Sequence, residues 1–135
     1  MNQQDIFDRV LAHLSQQKCR ASTHQGCMYR TPDGLKCAVG ALIPDDLYDP
    51  RMDTGSQFSG DVNGLAHGIR ERVFSPQLGW ITENRELLIS LQKAHDAVGN
   101  WKYRDSFESD LWQIAGRFEL DGSNITPTLD AIFAE

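Results

Sequence analysis

Cys27-Met28-Tyr29-Arg30-Thr31-Pro32-Asp33-Gly34-Leu35-Lys36-Cys37-Ala38-Val39-Gly40-Ala41-Leu42-Ile43-Pro44 decides the fold class of this chain, because it opens like a strand pair and closes like a helix. At its centre, Thr31-Pro32-Asp33-Gly34 has proline second and glycine fourth, which suits a type I turn closed by a glycine bulge. That turn pairs Thr31 with Leu35, Tyr29 with Cys37 and Cys27 with Val39. Cys27, Tyr29, Leu35, Cys37 and Val39 then share one face, and Met28, Arg30 and Lys36 the other. Lys36–Ile43 equally suits a short helix that Pro44 would end. The reading is a short hairpin that passes quickly into that helix.

Outward from this segment the periodicity is helical. Asn2–Lys18 places Ile6, Phe7, Val10, Leu11 and Leu14 on one stripe, with Asn2 as cap and Asp5 in the first turn. Residues 19–26 are polar and residues 44–60 carry Pro, Gly, Ser and Asp, so both read as connections. Val62, Leu65, Ala66, Ile69 and Val73 follow helical offsets up to Ser75-Pro76, although Gly64 and Gly68 each weaken that helix by about 1 kcal/mol. Glu83–Val98 carries the firmest stripe (Leu87, Leu88, Leu91, Ala94, His95, Val98), with Thr82 as cap and Gly99 as stop. Ser106–Phe118 is the next helix, capped by Asp105 and striped by Phe107, Leu111, Ile114, Ala115 and Phe118. Thr126-Pro127 opens a last turn through Phe133. No repeat or linker divides the chain. The expectation is a mainly α (α+β) single domain, residues 1–135, with one small β-hairpin inserted after the first helix.

Composition narrows the class. The 135 residues are 40% hydrophobic and 24% charged, unlike a disordered chain, and no run approaches the roughly 20 apolar residues of a membrane span. Nineteen acidic against 13 basic residues give a formal charge of -6. No Lys/Arg cluster offers the basic patch that direct nucleic-acid binding needs; the balance favours solubility or a partner with a basic surface. Three cysteines, an odd number, argue against a secreted disulfide framework. With no signal-peptide pattern in Met1–Asp5, the expectation is a cytoplasmic protein in a bacterial host cell.

Cys27–Asp46, together with Leu91-Gln92-Lys93-Ala94-His95-Asp96, resembles a group of small uncharacterised proteins from bacteriophages and prophage-bearing bacteria. The resemblance spans Asn2 to Leu120. It implies a phage accessory protein, host-directed or anti-defence in role, and brings no chemistry with it.

Four constellations each carry a functional and a blander reading. Cys19, His24, Cys27 and Cys37 offer zinc-type ligands, but no close pair of cysteines anchors the set. Cys37 at a helix N-terminus would have a lowered thiol pKa, with His95 and Asp96 as base and orienter. Adjacent helical residues point about 100° apart, so Asp96 is expected to orient His95 poorly, and His95 on its apolar stripe reads as a core histidine. Asp45, Asp46, Asp49 and Asp53 form an acidic loop without calcium-loop spacing; it is either solvated or meets a basic partner. Trp112 falls off the apolar stripe of its helix and is the exposed aromatic a binding surface would use. His13 and His67 have no partner at metal-ligand spacing. The favoured function is protein–protein binding without catalysis or cofactor, through Asp45, Asp46, Asp49 and Trp112. The alternative is a cysteine- or zinc-dependent activity centred on Cys27, Cys37 and His95. Oligomeric state is left open by the sequence.

Overall fold

The computed structural model describes residues 1–23, 26–53, 61–97 and 99–134, and of Thr23, Gly26 and Cys27 the backbone alone. The chain is mainly helical. Helix α1 spans Gln3–Gln17, α2 Val62–Arg70, α3 Gly79–Glu83, α4 Arg85–Asp96, α5 Arg104–Arg117 and α6 Ile125–Ile132. α1 packs along α6, α6 on α5 and α5 on α4, while α2 and α3 close against α4. Among the described residues no helix is long and apolar enough to cross a membrane.

Each helix buries the stripe its periodicity marks. In α1, Ile6, Phe7, Val10, Leu11 and Leu14 are buried, and the Asn2 side chain accepts the Asp5 N–H at 2.8 Å. α2 starts one residue after Asp61, whose carboxylate accepts Gly64 N–H, and it ends at Arg70. Val73 therefore lies beyond it, where Arg72 turns into the left-handed region. The helix expected over Glu83–Val98 begins later, at Arg85. Thr82 is not its cap but part of the separate short helix α3, and Asn84 joins the two by donating to the Trp80 carbonyl. Val98 lies outside the described residues. α5 starts at Arg104, so Asp105 sits in its first turn rather than at its cap.

The hairpin is not seen as a ladder. The turn itself has the expected geometry: Gly34 N–H donates to Thr31 O at 3.0 Å and Gly34 has φ +93°. Thr31 N–H then donates to Leu35 O and Cys37 N–H to Tyr29 O, which leaves one isolated bridge, Arg30 opposite Lys36. Cys27 pairs with Ser22, not with Val39, in an antiparallel contact of two residues a side, β1 (Ser22–Thr23) and β2 (Gly26–Cys27).

Side chains have replaced the missing strand bonds. The Asp53 carboxylate accepts Tyr29 N–H at 2.8 Å and Arg30 N–H at 3.1 Å. The Gln17 amide accepts Lys36 N–H and donates to Lys36 O, both at 2.8 Å. Val39 N–H goes to Gln92 Oε1. After Cys37 the backbone coils into a single 3-10 turn, Gly40–Leu42. A Cβ on Gly40 would overlap the Tyr29 carbonyl, so only glycine lets the two backbones approach here.

α5 ends in a Schellman motif: Leu120 N–H donates to Ala115 O and Glu119 N–H to Gly116 O. Glu119 occupies the left-handed position, φ 55°, where glycine is favoured, and puts negative charge at the negative end of the helix dipole. Glu119→Gly should stabilise the protein by about 0.5–1 kcal/mol, raising Tm by roughly 2–4 °C. A melting curve showing a lower Tm would contradict this account of the cap.

Candidate functional site

The 28–43 segment brings Cys37 against α4. Cys37 is buried, and its Sγ accepts Gly40 N–H at 3.2 Å, so the thiol caps the 3-10 turn. The position beside a helical turn suggested an activated thiolate; the structure reverses that. Burial pushes the thiol up to about 12, with Gly40 and Gln92 hydrogen bonds opposing the shift and the Asp96 charge adding to it. The thiolate needs water or a cation to be stable; the thiol is fully buried, and among the described residues no cation pairs with it. At neutral pH Cys37 is a protonated, hydrogen-bonded core group.

His95 is fully buried in the α4 stripe. Its Nδ1 lies 2.9 Å from Asp96 Oδ1, contrary to the expectation that neighbouring helical side chains would miss each other. Asp96 is the last residue of α4, so no further turn constrains it, and Gln92 one turn earlier holds both its oxygens at 3.3 and 3.1 Å. Because a carboxylate only accepts, Nδ1 donates; a neutral ring then leaves Nε2 as an acceptor. Among the described residues that buried Nε2 has no hydrogen-bond partner. Trp101 donates its Nε1–H to the His95 carbonyl at 2.8 Å and sets its ring edge-on to the imidazole at 5.6 Å. Base and orienter are therefore joined, but among the described residues no hydrogen bond links His95 to the Cys37 thiol.

The zinc set divides. Cys19 is partly buried with a free thiol; His24 and the Cys27 side chain lie outside the described residues. Among the described residues no three His, Cys, Asp or Glu side chains come together as a metal site.

The acidic loop is not uniformly solvated. Asp53 is tied into the core segment by its two backbone bonds and by the Tyr48 hydroxyl at 2.6 Å. Asp45 is 83% exposed yet meets Arg30 Nη1 at 2.7 Å and Lys36 Nζ at 3.7 Å. Asp49 pairs with Arg51 at 2.7 Å. Both carboxyls are held below the ordinary carboxylate range by these partners. Asp46 is exposed. Much of the loop's negative charge is thus already answered from within the chain.

Trp112 is 48% exposed on α5. Its ring lies across Gly122, where a Cβ would come within 2.5 Å of it. An exposed aromatic is ordinarily free of neighbours; here the six-membered ring abuts Gly122. Glu108 stands one turn before it on α5, and Gly116 one turn after leaves open space. Asp121 adjoins Gly122 and exchanges two bonds with the Gln4 amide, whose Nε2 also reaches Asp8. The two Asp121 bonds are made by its backbone, its carboxylate accepts Ser123 N–H, and Glu108 pairs with Arg104 at 3.6 Å.

Sequence reading missed Gln17, Gln92 and Asp53 as organisers of the 28–43 segment. Gln92 stands inside the quoted Leu91–Asp96 motif, and that was its one visible signal. Comparison with protein-family models, with curated proteins and with solved structures finds no match.

Burial of Cys37 and of His13 has measurable consequences. Native protein treated with iodoacetamide at neutral pH should be alkylated at Cys19 and spared at Cys37; peptide mapping that finds both labelled at one rate would refute the closed site. His13 Nε2–H donates to Lys36 O at 2.8 Å. Burial lowers its pKa, the Lys36 carbonyl contact opposes this, and the charges of His95 and Lys36 lower it further. The unfolded chain takes up this proton near its ordinary value of about 6.5 and the folded chain only at lower pH. Stability from this group is therefore complete above that value and is lost as pH falls through the folded pKa. Asp45, Asp49 and Asp121 titrate below this window, their pKa values being lowered. His13→Gln, which keeps a donor for Lys36 O, should show a smaller Tm loss between pH 7 and 5 than the parent; an equal loss would place the titration elsewhere.

Proposed function

We propose that this chain is a non-catalytic binding protein, a phage-type accessory factor that meets a host protein with a basic surface through Trp112. The observation that carries this reading is the half-exposed Trp112 ring abutting Gly122. A large aromatic fixed in its bound orientation loses little entropy on contact, and such residues dominate interface energetics. The chain's formal charge of -6 favours a cationic partner and opposes a phosphate backbone. The buried, protonated Cys37 speaks against the alternative activity at Cys27, Cys37 and His95.

Asp45, Asp46 and Asp49 belong to a separate place. Gln4 clamps Asp121 near one end of α1 and Gln17 clamps Lys36, which faces Asp45, near the other. At 1.5 Å per residue those two ends lie about 20 Å apart. The proposed contact is centred on Trp112, with the 45–49 loop at most peripheral to it.

Immobilised protein should retain a basic host protein from bacterial lysate, and Trp112→Ala should weaken that retention by about tenfold or more. Cys37→Ser and Asp46→Lys should leave it unchanged. Retention that survives Trp112→Ala but fails in Cys37→Ser would overturn the proposal.

A further inference from the structure

On the other flank of α5 from Trp112, a groove of about 320 Å³ runs between α4 and α5, at the lower end of the range for small-molecule sites. Its floor is apolar: Ala94 and Ile114 are both buried. Two cations stand over that floor. Lys93 is exposed on α4, and among the described residues no carboxylate pairs with it. Arg117 on α5 reaches Glu86 Oε2 at 3.7 Å and Ser90 Oγ at 3.5 Å, both loose contacts that leave guanidinium donors to spare. Among the described lining residues Asp110 is the acidic one, and Glu86 stands just outside them beside Arg117. Asp110 Oδ2 accepts from Asn100 Nδ2 at 2.9 Å, and Asn100, itself buried, also donates to Ala94 O at 2.7 Å. The carboxylate is thereby fixed in place, with Oδ1 unengaged among the described residues.

Two cations and one oriented carboxylate over an apolar floor are complementary to a short chain bearing two anions and one donor. We propose that this groove binds an acidic α-amino acid, its carboxylates on Lys93 and Arg117, its ammonium on Asp110 and its methylenes on Ala94 and Ile114. The site shares no residue with the Trp112 surface, so either can fail alone. It is a binding site.

The test is an NMR titration of the full chain with L-glutamate, with glutarate as the analogue lacking the ammonium. Glutamate should shift the Ser90, Lys93, Gln113 and Arg117 amides saturably. Lys93→Gln and Arg117→Gln should each weaken binding by about tenfold, as expected for loss of a charge-assisted hydrogen bond. Lys93 is exposed, so its replacement leaves the core intact. Glutarate should bind more weakly than glutamate, and Asp110→Asn should abolish that difference. Shifts that never saturate, or that glutarate and sodium chloride reproduce equally, would overturn the proposal.

Discussion

Buried peptide groups must be hydrogen-bonded, and the segment from Tyr29 to Val39 meets that requirement with side chains borrowed from elsewhere in the fold. Asp53 takes two N–H groups, Gln17 takes the N–H and C=O of Lys36, and Gln92 takes the N–H of Val39. Each buried group left unmet would cost about 1–3 kcal/mol, so these contacts are a condition for threading an irregular segment through a helical core. They also fix its path. With Tyr29 N–H turned to Asp53, the second bond of the Tyr29–Cys37 pair cannot form, and the strand pairing stops at Arg30 and Lys36. The Arg30 guanidinium completes the closure, donating to Ile43 O at 2.6 Å while lying 4.6 Å from the centre of the Tyr48 ring.

This path explains why chemically suggestive side chains meet without forming a reactive centre. Cys37 and Gln92 come together because the segment is pinned to α4, and the same pinning excludes water from the thiol. His95 and Asp96 make a joined pair because α4 ends beside them, and Trp101 then covers the imidazole. Dehydration favours neutral forms, so tight packing and thiolate chemistry are opposed at this spot. The surface features arise differently. α5 lies between α4 and α6, and its two flanks carry unlike chemistry: a half-exposed aromatic on one, a groove with two cations on the other.

The helices were legible because their apolar spacing states which face is inward. Trp112 was legible for the same reason: it lies out of phase with Leu111, Ile114 and Ala115. His95 as a core residue was readable from its place beside Leu88 and Leu91. The 28–43 segment was only half legible. Thr31-Pro32-Asp33-Gly34 specifies its turn by local chemistry, but the course of the backbone on either side depends on Gln17, Gln92 and Asp53, residues with no local reason to reach there. Asp53 looked like one more acid in a polar loop; three hydrogen bonds make it an internal strut. The pairing of Asp96 with His95 escaped a rule for helix interiors because it occurs at a helix end. The groove belongs to the packing of α4 on α5 and has no sequence signal of its own.

The amide of Gln4 holds Asp121 across 117 residues, and α1 packs along α6. During synthesis α1 leaves the ribosome well before α6, and the surface it packs on is made more than a hundred residues later. Until then, an interval of several seconds at ordinary rates of translation, the flank of α1 that faces α6 has no permanent shelter, although the Gly40–Leu42 turn and α4 are available earlier to its other side. Closure of the domain is therefore an event that waits for nearly the whole of these residues to be present. A ribosome stalled before α6 would display an unsatisfied oily helix to whatever chaperones attend it.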